Sequence, residues 1–588
     1  MKLPRFPPAL RPPGFRRLGL ADVAILCLLG GVIATVVSFA REFEAPFAQA
    51  VRIDLRFSAL PRYTLYSLSR GVSALLISYL FALGFGWAAV KSRAAERLLL
   101  PLLDILQSIP VLGFLPGLVL GLVSLFPTRN VGLELAAILM IFTAQAWNLA
   151  LSFYGSLKSL PVQLRDACQV AGWRPSRTFW DLEVPAAAQG LVWNGMLSMA
   201  GGWFFLMVNE AFRLGNRDYR LPGIGSYMSV ALDRGDVPAM ALAILAMIAM
   251  IVCVDQLLWR PLVVWVEKFR LDESGGGGPV PSSWVLEFLR RARLPRRVAL
   301  FQQRVFRRAR RAARPLERPF RAVGPVILRA PRRAFRDAIA RKIGAGLAAV
   351  AIAAVALLGA WRLWLLIGQL GWADWGHLLA SAALTFSRVM GAVVLSTAWA
   401  LPAGVVIGRS PRLARALQPV IQVVASFPAP MLFPLVILLF ERIGIGLGFG
   451  AVVLMVLAGQ WYILFNVISA VAAIPQQLKD ATAAFRLPRL ARWRFLYLPA
   501  AFPALVTGWV TAAGGAWNGS IVAEYIEAGG TLRTTRGLGS LISEATTHAN
   551  FPLLAGGIAL MSLIVVGWNR IVWRSMMEWA RARFGLVQ

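Results

Sequence analysis

Apolar runs long enough to cross a bilayer as helices, which takes about 20 residues, alternate with short polar segments along most of this chain. Residues 21–40, 65–90, 98–125, 131–153, 190–208 and 238–266 form one series of runs. Residues 343–367, 379–407, 417–440, 445–471, 501–526 and 552–576 form a second. The pattern predicts an all-α polytopic membrane protein with about 12 transmembrane helices.

The polar segments between runs set the orientation. Lys91, Arg93 and Arg97 follow the second run, and Lys158, Arg165, Arg174 and Arg177 follow the fourth. The positive-inside rule puts these loops, the basic N-terminus (1–20) and the C-terminus in the cytoplasm. A basic start before an apolar run also fits a cleaved signal peptide. The 21–40 run, however, exceeds the apolar core of about 7–15 residues that such peptides use, and an equivalent run opens the second series. It is read as a span.

The second series repeats the first. Shifted by 318 positions, Ser69-Arg70 falls on Ser387-Arg388, Gly86 on Gly404, and Ser108-Ile-Pro110 on Ser426-Phe-Pro428. Shifted by 314, Pro161 falls on Pro475, Gln163 on Gln477, Asp166-Ala167 on Asp480-Ala481, Pro185 on Pro499, Glu210 on Glu524, and Gly223-Ile-Gly225 on Gly537-Leu-Gly539. The change of offset places an insertion or deletion between 116 and 161. An even number of spans per repeat inserts both repeats the same way up. The two six-helix repeats are then related by a pseudo-two-fold along the membrane normal, as in parallel-repeat transporters. The expected domains are the N-terminus (1–20), a first half (21–266), a linker (267–342) and a second half (343–588).

Composition sharpens this. The 588 residues are 58% hydrophobic and 15% charged, against about 25% charged in soluble proteins. The formal net charge is +33, and the linker alone holds 21 Lys+Arg against 6 Asp+Glu. In a soluble protein that would suggest nucleic acid. Here no nucleic-acid motif or aromatic interleaving accompanies the arginines, and a basic connector between spans reads as cytoplasmic and drawn to anionic lipid. Within it, Ser274–Gly278 reads as a flexible linker. Three cysteines and two histidines support neither a disulfide framework nor a metal site. None of the six lysines has Gly before it and Ser or Thr after it, as a phosphate-binding loop requires. The chain is therefore expected to hold no ATPase and no cofactor.

Each repeat keeps one polar island between spans. Gln163 to Ala171 predicts a short helix stopped by Gly172, since glycine takes the positive φ that ends helices. The second island, from Gln477 through Asp480 and Ala481, has Arg486 at the matching stop. An acidic residue followed by Ala, a later Gly, and a closing hydrophobic-Pro (Pro185, Pro499) resembles the coupling loop of type I ABC importer permeases. Trp517-Asn518, Ala523-Glu524 and Gly537-Leu-Gly539 are most similar to the nitrate/sulfonate/taurine branch, here with two permease halves fused.

The resemblance implies a permease translocating a small anion of nitrate, sulfonate, taurine or bicarbonate type across the cell inner membrane. Two ATPase subunits would hydrolyse ATP, and an extracytoplasmic binding protein would deliver the solute. Gln163, Asp166, Ala167, Gly172, Pro185, Gln477, Asp480, Ala481, Arg486 and Pro499 would then form the coupling loops to the ATPase. Two departures from the family pattern, Asp for Glu in both loops and Arg486 for Gly, predict that the second loop bends differently or binds its ATPase less symmetrically than the first.

Polar groups inside spans default to functional candidates, although hydrogen bonds between helices use the same residues. Asn194, Glu210, Asn518 and Glu524 are candidates for the pathway. The two glutamates suit capping or gating better than binding an anion. Ser108-x-Pro110 and Ser426-x-Pro428 predict kinked third spans, because proline removes a helix hydrogen bond, and a kink beside a pathway can gate it. The competing function is a secondary transporter driven by an ion gradient. It would place paired carboxylates or a broken helix at the bilayer midplane. A membrane enzyme would need a nucleophile–base set that the sequence lacks.

Overall fold

The computed structural model describes residues 20–47, 51–108, 110–214, 217–269, 283–291, 354, 357–528 and 531–584. The chain divides into two compact units, Met1–Val37 with Val280–Leu358 and Ser38–Pro279 with Gly359–Gln588. The described part of the first includes the start of helix α1 (Leu20–Glu44) and the helix Trp284–Arg291. Most of the basic linker and most of the predicted 343–367 span lie outside the described residues.

The second unit is the helical body. Its first repeat runs α2 (Leu60–Lys91), α3 (Arg93–Ser108), α4 (Leu115–Leu125), α5 (Val131–Lys158), α6 (Val162–Val170), α7 (Val184–Glu210), α8 (Ile224–Asp233) and α9 (Val237–Val254). The second runs α10 (Trp372–Gly408), α11 (Pro411–Ser426), α12 (Phe433–Arg442), α13 (Leu447–Ala472), α14 (Gln476–Ala484), α15 (Leu498–Ala523), α16 (Leu538–Thr547) and α17 (Phe551–Trp568). Among the described residues, 8 helices are long and apolar enough to cross a membrane, and a bent pair makes up to 9. The protein is an all-α, multi-pass membrane protein built of two repeats.

The third spans differ from the prediction. They are broken, not kinked. The axes of the 93–107 and 111–125 helices meet at 84°, and in the second repeat a short turn, Ala429–Met431, separates α11 from α12. Proline explains the break. Pro110 and Pro428 sit extended, with ψ of 113° and 114°, and each opens the short helical turn that follows.

In each repeat two long helices run parallel and the next returns antiparallel. Gly86 on α2 and Gly404 on α10, matched by the 318 shift, allow the parallel pair to meet closely. A Cβ on Gly86 would lie 2.7 Å from Phe153 Cδ1 on α5, and one on Gly404 would lie 2.7 Å from Val467 Cγ1 on α13. Without a hydrophobic drive between helices in lipid, such small residues let dispersion hold the pair.

The duplication extends to backbone irregularities. Turns of π-helix at Phe179–Glu183 and Asp255–Trp259 recur at Trp493–Tyr497 and Asn569–Trp573. Pro185 and Pro499 each follow such a turn inside a continuous span, Pro175–Glu210 and Arg489–Ala523, where proline's missing N–H interrupts the helix ladder. One apolar core crosses both repeats, with Trp203 and Trp517 at matched positions inside it.

Candidate functional site

The two polar islands form short helices at the end of the body where α5 and α13 finish. α6 and α14 each span 9 residues, and both are stopped the same way. Gly172 has φ of 67° and donates its N–H to Gln169 O, while Trp173 N reaches Cys168 O. Arg486 has φ of 49° and donates to Ala483 O, while Leu487 N reaches Thr482 O. These are two copies of one Schellman motif. The expectation that the second loop bends differently is therefore corrected: Arg486 takes the left-handed backbone that glycine takes in the first copy. A side chain in that conformation costs about 1–2 kcal/mol.

Both islands are open to solvent. Gln163, Asp166, Ala167, Gln477, Asp480 and Ala481 are all exposed. Around them stand bare apolar side chains: Val162 and Val170 on the first, Phe485 and Leu490 on the second. Asp480 Oδ1 accepts from Gln476 Nε2 at 2.9 Å, and Arg165 ties α6 back to α5 through Leu157 O at 2.5 Å. Two short exposed helices of one backbone design, each with bare apolar side chains beside it though not at matched positions, suit docking.

Near the opposite end the breaks in the third spans meet the partner repeat. Asn518 on α15 accepts the backbone N–H of Val111 at 2.9 Å and of Leu112 at 3.5 Å. It thereby holds the turn behind Pro110, itself buried, against the second repeat. The matching residue on α7 is Phe204, which has no such group to offer. A cavity of about 120 Å³ lies between the repeats. Ala144 with Ala458, Gly201 with Gly515, and Phe204 with Asn518 line it. Each pair is related by the 314 shift, so the cavity straddles the axis that relates the repeats. Pro428 also lines it, and Ser426, buried beside it, is held by Gln422 O at 2.7 Å.

Glu210 and Glu524 are not in the cavity lining. Each closes a buried lock at the end of its span. Glu210 accepts from Ser67 Oγ (2.7 Å), Arg70 Nη1 (2.7 Å) and Gly225 N (2.8 Å), and Ser67 Oγ in turn accepts from Ile224 N at 2.9 Å. Glu524 accepts from Thr385 Oγ1 (2.8 Å), Arg388 Nη1 (2.8 Å) and Gly539 N (2.9 Å), with Leu538 N on Thr385 Oγ1 at 2.8 Å. The carboxylates thus cap α8 and α16. The paired glycines are needed because a Cβ on Gly223 or Gly537 would overlap the carboxylate.

The locks are unequal. Arg70 also grips Glu134 through Nε at 2.7 Å and Nη2 at 2.6 Å, and all three side chains are fully buried. The position matching Glu134 is Gly448. Arg388 instead donates Nη2 to Thr535 Oγ1 at 3.1 Å and is 12% exposed.

Asn194 is placed as a packing residue: its Nδ2 donates to Ser152 Oγ (3.1 Å) and Gly190 O (3.0 Å). Sequence reasoning missed Arg70, Arg388 and Glu134 as functional side chains. The register match of Ser69-Arg70 with Ser387-Arg388 was the available signal, since a buried arginine repeated within spans demands a buried acid.

A family model described as "Binding-protein-dependent transport system inner membrane component" matches residues 80–258 and again 400–572. The chain is 28% identical over 206 residues to the taurine transport system permease protein TauC of Escherichia coli, covering 34% of this chain and 70% of that protein. It is 25% identical over 149 residues to the nitrate import permease protein NrtB of Synechococcus elongatus, covering 25% of this chain and 52% of that one.

Proposed function

Because this chain belongs to the binding-protein-dependent transport system inner membrane component family, with two copies of the domain in one polypeptide, we propose that it forms the whole translocation pore of an ATP-driven importer of a small anion. It is an ABC transporter permease of the taurine/nitrate type, and its relatives are transport permeases, not enzymes. ATP is bound and hydrolysed by two copies of a separate ATPase subunit. One docks on α6 and the other on α14, through Asp166, Ala167, Asp480, Ala481 and the apolar side chains beside them. The protein sits in the cell inner membrane with both termini in the cytoplasm, its basic linker against anionic lipid. An extracytoplasmic binding protein delivers the solute to the opposite end.

The observation that carries this reading is the pair of exposed helices with one backbone design at one end of a body whose repeats enclose an axial cavity. Closure of the ATPases moves α6 and α14 with them. Because each directly follows the end of a long helix, α5 or α13, the movement changes which end of the axial cavity is open. The locks at Glu210 and Glu524 keep each repeat's outer loop attached to its helices while this happens.

Uptake of labelled taurine and of nitrate by cells producing the intact transporter tests the energy source. Uptake that persists when ion gradients are collapsed but stops when ATP is depleted supports the importer. The reverse pattern favours the ion-gradient alternative.

A further inference from the structure

The axial cavity straddles the symmetry axis but is not itself symmetric. Its remaining polar lining comes from the second repeat: Gln422, Trp461 and Tyr462 face it, together with Phe427 and Pro428. Among the described residues, the counterparts Asp104, Trp147, Asn148 and Pro110 do not line it, and Asp104 and Asn148 are exposed. The exchange of Asn518 for Phe204 accompanies this asymmetry. On one side the amide clamps the Pro110 turn across the interface; on the other an aromatic ring leaves the Pro428 turn beside open space. A pore made of two identical chains could not have this difference in a symmetric state.

Building on the importer reading, we propose that the solute pauses in this cavity at a one-sided site, where Tyr462, Gln422 and Asn518 bind a small oxyanion through neutral donors against the Phe204 wall. The geometry supports each part. The Tyr462 hydroxyl points across the cavity to within 3.5 Å of where a Cβ on Gly201 would stand. Among the described residues it makes no hydrogen bond, so it is available to a solute. Asn518 uses its oxygen on Val111 and Leu112 and keeps one amide hydrogen beyond the bond from Nδ2 to Gly514 O at 3.0 Å. A buried water needs roughly 10–15 Å³ of such space, so about 120 Å³ accommodates a solute of several heavy atoms.

Among the described residues the lining holds no charged side chain, and this suits transit. A carboxylate would repel an anion. Charge-assisted bonds to an arginine or lysine are roughly twice as strong as neutral ones and would hold the anion too long. A conducting site must be favourable enough to enter and weak enough to leave. The second repeat places an amide, Gln422, where the first has the carboxylate Asp104.

The test uses the complete transporter with its ATPase and binding protein in proteoliposomes, with taurine, methanesulfonate and nitrate as probes. Tyr462→Phe should raise the KM for the transported probe about fivefold, the worth of one neutral hydrogen bond, with little change in maximal rate. Gly201→Leu fills the cavity and should reduce uptake to background while basal ATP hydrolysis continues, which shows the complex intact. Asn148→Phe, at the position matching Tyr462, should change neither. Wild-type uptake with Tyr462→Phe and Gly201→Leu both within twofold of it would overturn the site while leaving the importer reading standing. Equal effects of Asn148→Phe and Tyr462→Phe would overturn its one-sidedness. A wild-type complex that hydrolyses ATP but imports none of the three probes would overturn both the anion class and the site.

Discussion

Removing the buried arginine should cost far more in the first repeat than in the second. Arg70 makes four hydrogen bonds, two to Glu134, one to Glu210 and one to Pro222 O at 2.9 Å, with every participating side chain fully buried. Arg70→Met strands two carboxylates. Glu210 keeps Ser67 and Gly225 as donors, but among the described residues Glu134 is left without any. Breaking a buried pair from one side typically costs about 3–5 kcal/mol, and the second stranded acid puts this variant at the upper end.

Arg388→Met strands only Glu524. That carboxylate retains Thr385, Gly539 and Ser540 as donors beside a position already open to solvent. A lost charged hydrogen bond to a group that is still partnered costs about 1.5–3 kcal/mol. The difference between the two variants should therefore be roughly 2 kcal/mol. Thermal unfolding of the purified protein in mild detergent, followed by tryptophan fluorescence, measures it. Arg70→Met should have the lower midpoint, and Glu134→Leu in that background should recover part of the loss by removing the stranded charge. Equal midpoints for the two arginine variants, or no recovery in the double variant, would refute the reasoning.

Three further outcomes follow from the same geometry. Gly448→Glu fits, because a Cβ there meets nothing nearer than Thr535 Oγ1 at 3.7 Å and lies 4.0 Å from Arg388 Nη2. It should make Arg388→Met as damaging as Arg70→Met in the same thermal assay. Arg486→Gly should relieve about 1 kcal/mol of left-handed strain, read as slower hydrogen exchange over 476–487, and Gly172→Arg should speed exchange over 162–173 by a similar factor. Asn518→Leu strands the Val111 N–H and should lower the unfolding midpoint by the equivalent of about 1–3 kcal/mol, whereas Phe204→Leu, which releases no polar partner, should shift it less.

Much of the architecture was legible because membrane helices are read from local composition. The runs 131–153 and 501–526 became α5 and α15 with shifts of only a few residues at most ends, and the matched pairs Gly86/Gly404 and Glu210/Glu524 proved to occupy equivalent structural positions. Three features were not legible, each for a physical reason. The third spans were expected to kink at their prolines but not to break, because hydropathy does not register how far the backbone turns; the extended prolines at 110 and 428 turn the chain. The Arg70 lock joins residues 64 and 140 positions apart, beyond the reach of any local pattern. Arg486 suggested a different bend, but the Schellman hydrogen bonds at 482–487 hold the same turn in spite of the side chain. The domain boundary at 342–343 falls among residues the structure does not describe.

The account rests most on α6 and α14 as docking sites for an ATPase. Purification of the protein from native membranes in mild detergent, wild type beside Asp166→Arg plus Asp480→Arg, tests that directly. Both charges are exposed, so the double variant should keep the wild-type unfolding midpoint. The account predicts that an ATPase subunit accompanies the wild type, with ATP hydrolysis in the purified sample, and is lost from the folded double variant. An ATPase retained equally by both, or no ATPase with the wild type even after crosslinking from cysteines placed on α6 and α14, would contradict it.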